Sequence, residues 1–129
     1  MSLARSKPEF ERLVAAALRG MPARFRQFLE QENVIVMVER RPSRSQLLGL
    51  GMNPDVETLY GLYEGIPRTE RSSNYNMALP DKITIFQDTL EESYPGQAAL
   101  KEQVRRTVLH EVAHFFGIDD DELDRMGWH

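Results

Sequence analysis

Helical and strand-like patterns of apolar residues follow one another along the chain. From Pro8 to Gly20 apolar residues recur at helical spacing, with a proline near the start and a glycine at the stop, so we predict a helix. Pro22 opens a second, shorter helix that ends before Asn33. Residues 97–117 carry helical periodicity up to a final glycine and predict a long helix.

Three stretches between these helices have the character of strands. The run 34–38 is continuously apolar and mostly β-branched, which is typical of a strand buried on both faces, so we place it at the centre of a sheet. Residues 58–63 and 81–86 are the second and third predicted strands. The segment 40–54 is rich in Arg, Ser, Gly and Pro, so we expect a loop there.

The order of these elements predicts the fold class. Asp88 and Glu91 have the spacing of an N-cap with a reciprocal acid, so a short helix should begin at Asp88. The remaining order of helix, helix, three strands and helix indicates an α+β fold with a small sheet packed against helices. A length of 129 residues is that of one ordinary domain, and we predict a single domain over residues 1–129.

Composition narrows the chemistry that is open to the chain. The 16 basic and 20 acidic residues give a net charge of −4, with both signs dispersed, so we expect no nucleic-acid partner. There is no cysteine, which leaves His, Asp and Glu as the strong metal ligands. No apolar run approaches the roughly 18 residues of a membrane span and no signal peptide is evident, so we expect no membrane partner and a cytoplasmic location.

His110 and His114 lie one turn apart on the long predicted helix. With Val108 at the centre of the buried face, the two histidines fall at about 200° and 240°, on a face away from the core. Residues four apart are neighbours on a helix, so both imidazoles can reach one zinc ion. Glu111 points beside the pair and suits the catalytic role of a general base that takes a proton from a zinc-activated water.

A catalytic zinc site needs a third protein ligand and an open position. Gly117 can adopt the left-handed conformation that ends a helix and turns the chain back. Asp120, three residues further on, can then approach the two imidazoles, and we predict it as the third metal ligand. Asp119 is the next candidate, and the acidic run 119–122 would also make a good start for a short helix.

The complete pattern His110-Glu111-x-x-His114-x-x-Gly117-x-x-Asp120 resembles the zincin metallopeptidases whose third ligand is an aspartate. Three further stretches look like the bacterial minimal-zincin family, described as possible zinc metallopeptidases: 63–67, 79–86 and 127–128. The resemblance covers most of the chain from about residue 55 to the end. It implies a minimal zincin fold with zinc at His110, His114 and Asp120 and Glu111 as the catalytic base, and it implies no known substrate.

The function that these residues favour is a zinc-dependent peptidase acting on a peptide or protein substrate. An extended peptide would pair with an edge strand, which we place near Ile83. The alternative is a zinc-binding interaction or regulatory module on a zincin scaffold, because so short a chain leaves little room for deep specificity pockets. A vestigial, metal-free regulatory protein is a third possibility, against which the intact Glu111 argues.

Overall fold

The computed structural model describes residues 5–55, 58–65 and 81–125, except for the side chains of Arg24, Phe115, Asp120, Leu123 and Asp124. Its elements are α1 (Lys7–Arg19), α2 (Ala23–Gln31), β1 (Val34–Glu39), α3 (Arg44–Gly49), β2 (Gly61–Glu64), β3 (Asp81–Phe86), α4 (Gln87–Ser93), α5 (Gln97–Phe116) and α6 (Asp120–Arg125). The predicted α+β class is confirmed. Among the described helices, none combines the length and the apolar character that crossing a membrane requires.

The first helix begins where its sequence places a reciprocal cap. The Glu9 N–H donates to the Ser6 hydroxyl over 3.2 Å, and the Ser6 N–H donates to Glu9 Oε1 over 3.2 Å. These bonds satisfy two N–H groups that a helix start would otherwise leave without partners. The apolar stripe of α1 is buried as the periodicity predicts.

The expectation of a loop over 40–54 is wrong, because the segment contains α3. The Gln46 N–H donates to the Ser43 hydroxyl over 3.0 Å, and the Ser43 N–H donates to Gln46 Oε1 over 2.8 Å. Burial of Leu47 holds this helix against the fold. Six residues are fewer than two turns, so the helix shows no apolar period, and its only local signal is the spacing of Ser43 and Gln46.

The three described strands lie in the order β1-β3-β2. β3 is parallel to β1, with Val34 beside Asp81, and antiparallel to β2, with Gly61 beside Ile85. Two predictions are therefore wrong: the strand of Ile83 is central rather than an edge, and β1 lies at an edge of the sheet that the described strands form. Ile35 on β1 is 45% exposed, since only alternate side chains of this strand face the core.

Helix α5 packs across β2 and β3 and also contacts α1 and α4. Its apolar stripe is buried at the predicted spacing and meets the inward side chains of β3. The core positions that are fully buried include Phe10, Ile83, Ile85, Leu90, Leu100, Val104, Val108 and Val112. Because α5 crosses β2, the last turns of the helix come close to an edge of the sheet.

Helix α4 begins at Gln87, and the predicted N-cap at Asp88 is wrong. The residue before α4 is Phe86, which supplies no side-chain cap. The Asp88 carboxylate instead accepts a hydrogen bond from Arg40 Nη1 over 2.9 Å, and the Asp88 N–H donates to the Arg40 carbonyl over 2.9 Å. Asp88 thus ties the start of α4 to the end of β1.

Candidate metal centre

The last turns of α5 carry the two histidines and the glutamate, and the glutamate contacts β2. The rings of His110 and His114 have centroids 4.7 Å apart. His110 is half-buried and the His114 side chain is 52% exposed, whereas Val108 and Val112 are in the core. The prediction that both imidazoles lie away from the apolar stripe is confirmed.

Glu111 is buried and is held by the backbone of β2. The Tyr63 N–H donates to Glu111 Oε2 over 2.9 Å, and His114 Nδ1 lies 3.2 Å from the same oxygen. Glu111 Oε1 takes part in no hydrogen bond or ion pair with the part of the chain that the structure describes. One carboxylate oxygen is therefore anchored, and the other has no partner among the described residues.

The strand pairing explains why the Tyr63 N–H is available to a helix. The Phe86 N–H donates to the Tyr60 carbonyl over 2.9 Å, which fixes Tyr60 as a position that hydrogen-bonds to β3. In an antiparallel pair such positions alternate, so the backbone groups of Gly61 and Tyr63 point away from β3. The edge of β2 thus presents a donor to the carboxylate of α5.

The donor atoms at this site fit a zinc ion. His110, Glu111 and His114 each offer a ligand atom, and these atoms lie within 4.8 Å of one another. Two ligands of one tetrahedral zinc are about 3.4 Å apart at ordinary Zn–N lengths, so small side-chain rotations would bring the imidazoles to that spacing. Imidazoles with a nearby carboxylate are the donors that zinc accepts in a chain without cysteine.

The chain turns after α5 as the glycine predicts. Gly117 has φ 73° and ψ 27°, the left-handed conformation, and the Ile118 N–H donates to the Ala113 carbonyl over 2.9 Å. Asp119 Oδ1 then accepts a hydrogen bond from the Glu122 N–H over 2.8 Å, so Asp119 caps the start of α6. The side chain of Asp120, the predicted third ligand, lies outside the described residues.

Sequence reasoning missed the contribution of β2. The Tyr63 N–H and the close approach of α5 at Gly61 both shape the surroundings of Glu111. A glycine inside a strand often marks a close approach of another segment, and that is the only local signal for this contact.

Comparison with known protein families finds a match that includes the candidate metal centre. The model of the family described as zincin-like metallopeptidase matches residues 31–128, which include β1 and every later element as well as the site. No curated protein matches the chain.

Proposed function

Because the chain belongs to the zincin-like metallopeptidase family, we propose that it is a zinc-dependent peptidase with Glu111 as general base. The observation that carries this proposal is the group of His110, Glu111 and His114, whose ligand atoms lie within 4.8 Å of one another. His110, His114 and Asp120 would hold the metal. Zinc, when bound, acts as a Lewis acid that polarises a carbonyl and lowers the pKa of a coordinated water.

The two oxygens of Glu111 have separate tasks in this proposal. Oε2 stays on the Tyr63 N–H at 2.9 Å and fixes the orientation of the carboxylate. Oε1 takes the proton from the attacking water, a role that requires a positioned acceptor within hydrogen-bond reach. With 6% of its surface exposed, Glu111 is itself shielded from bulk water.

Asp120 is the third ligand in this proposal. Asp119 is the weaker candidate because one of its oxygens accepts the hydrogen bond that starts α6. The test compares zinc affinity in Asp120→Ala and Asp119→Ala. We expect Asp120→Ala to lose more than the roughly 10- to 100-fold that removing an outer-shell partner costs, and Asp119→Ala to lose much less. The reverse order would assign the ligand to Asp119.

The proposed substrate is a peptide or an unfolded protein segment in extended conformation. Among the described strands, β2 is the edge strand beside the site, and the backbone groups of Gly61 and Tyr63 point away from β3. A peptide that adds to β2 as a further strand would run past Glu111. Since the Tyr63 N–H already serves Glu111, such a peptide would pair through the outward backbone groups of Gly61.

The deciding experiment measures zinc content and cleavage of a quenched-fluorescent peptide library by wild type and Glu111→Gln. Glutamine keeps the shape of the side chain and an acceptor for the Tyr63 N–H but cannot take a proton. We expect stoichiometric zinc in both proteins and a loss of about 10²- to 10⁴-fold in kcat for the variant. Glu30→Gln, on the exposed surface of α2, is the matched control and should cleave like wild type.

Two outcomes would contradict the peptidase proposal. Zinc binding without any Glu111-dependent cleavage would favour the interaction module instead. Failure to bind stoichiometric zinc at neutral pH without chelator would contradict both functions.

A further inference from the structure

The separation between α5 and β2 depends on the lack of a side chain at Gly61. A Cβ at this position would lie 2.7 Å from Thr107 Cγ2, 3.2 Å from the Thr84 carbonyl oxygen and 3.5 Å from Glu111 Cγ. The first distance is shorter than Cβ atoms show in proteins. Thr107 is buried and β-branched, so its methyl group cannot easily rotate away. An added methyl at Gly61 would therefore push α5 away from β2.

The same separation sets the contact that orients Glu111. Thr107 and Glu111 are four residues apart on α5 and lie side by side on its surface. Thr107 meets β2 at Gly61, and Glu111 Oε2 meets β2 at the Tyr63 N–H, 2.9 Å away. Hydrogen bonds of this type extend over about 2.7–3.2 Å, so a shift of more than about 0.3 Å would take the Glu111 contact beyond that range.

We propose that Gly61 is a positioning residue for Glu111. It lets α5 lie close enough to β2 for the Tyr63 N–H to hold Oε2, which leaves Oε1 aimed at the substrate. The inference rests on the proposed role of Glu111 as general base. His110 and His114 are both on α5 and would move with the helix, so the spacing of the two imidazoles does not depend on Gly61.

The test begins with Gly61→Ala. We expect kcat for a peptide that wild type cleaves to fall by about 10- to 100-fold, because displacements of up to 1 Å have effects of that size, with KM and zinc affinity unchanged. The NMR signal of the Tyr63 amide should shift, and its hydrogen exchange should accelerate, as in Glu111→Ala. Gly49→Ala is the matched control, since nothing lies within 4 Å of a Cβ at Gly49.

The second arm is rescue through Thr107→Ser, which removes the methyl that clashes and keeps the hydroxyl. The double variant Gly61→Ala/Thr107→Ser should recover kcat and the wild-type Tyr63 amide signal. If Gly61→Ala alone does not fold, a folded double variant with that signal supports the proposal equally. A double variant that recovers the Tyr63 amide signal but not kcat overturns it.

Two further results would also overturn it. One is an unchanged Tyr63 amide in Gly61→Ala, and the other is a zinc affinity that falls in proportion to kcat, which would make Gly61 a structural support of the whole site. The amide measurement needs no substrate. If wild type cleaves nothing, the peptidase proposal fails while the amide signals of Gly61→Ala and the double variant still decide whether Gly61 positions Glu111.

Discussion

The two edge strands of the described sheet contribute different things to the molecule. β1 has six residues, most of them β-branched, and runs parallel to β3. β2 has four residues, begins with a glycine and runs antiparallel to β3. β1 buries Val38 in the core, whereas β2 gives a backbone N–H to the Glu111 carboxylate.

This difference shows that the apolar content of a strand and its importance for the site are separate properties. The apolar content of β1 reflects the burial of its inward side chains beneath α1 and α2, which both contact it. The role of β2 comes from backbone groups that face away from β3 and toward the end of α5. A weakly apolar strand can therefore be the one on which the site depends.

The largest expected effect comes from removing the Tyr63 N–H. Tyr63→Pro deletes this donor without taking a hydrogen bond from the β2–β3 ladder, because the group points away from β3. Tyr63→Ala loses the same ring but keeps the N–H. We expect kcat of the proline variant to be about 100-fold below that of the alanine variant, since loss of the anchor misplaces the proposed base. Equal kcat values with equal zinc contents would remove β2 from the mechanism.

The next effect tests β1 as a strand that serves the core. Val38→Ala removes two buried carbons and should lower the free energy of unfolding by about 2 kcal/mol. Ile35→Thr, at the 45% exposed position, should change it by less than about 0.5 kcal/mol. Urea unfolding measures both, and zinc affinity should stay at the wild-type value. If Ile35→Thr costs as much as Val38→Ala, the assignment of one face of β1 to solvent is wrong.

The elements that could be predicted from sequence are those long enough for the apolar period to repeat several times. α5 spans 20 residues, so its apolar stripe and the face of its histidines are well determined. α3, with six residues, is too short to show a period. Asp88 has the spacing of an N-cap, but Arg40, just after β1, donates a hydrogen bond to its carboxylate. A local pattern could not reveal such a competing partner.

The candidate site likewise has a part that the sequence predicts and a part that it does not. His110, Glu111 and His114 lie within one turn and a half of helix, so their spacing in the sequence already predicts their geometry. The partner that holds Glu111 is Tyr63, 48 positions earlier in the chain. Only the packing of α5 on β2 brings the two together, and no helical or strand period encodes that contact.

Variants of Gly117 test the turn after α5, which is separate from the contact between β2 and Glu111. Alanine at φ 73° should cost about 1–2 kcal/mol in the free energy of unfolding, because L-residues with a Cβ are strained in the left-handed conformation. Asn tolerates that conformation, so Gly117→Asn should cost less. Zinc affinity should fall in the same order, since this turn directs the chain toward Asp120. Equal zinc affinities in both variants and wild type would argue against Asp120 as a ligand.

The smallest expected effect concerns Glu102 on the surface of α5. Its titration changes the acid stability of the whole protein and so of every β1 and β2 variant. Hydrogen bonds from Arg105, together with those from Arg106, lower the pKa of Glu102 from 4.5 to about 2. A carboxylate with a lowered pKa in the folded state contributes stability that is complete above its unfolded pKa and is lost as the pH falls between 4.5 and 2. Solvent screening keeps the contribution small, because the side chain is 45% exposed.

Glu102→Gln removes this titration and isolates its share of the acid sensitivity. Urea unfolding of wild type and the variant across this window should show a slightly weaker loss of stability in the variant. Identical curves would mean that solvent screens the pair completely. Because the contribution is constant above pH 4.5, the edge variants of β1 and β2 are best compared there, where a difference between them reports on the strands alone.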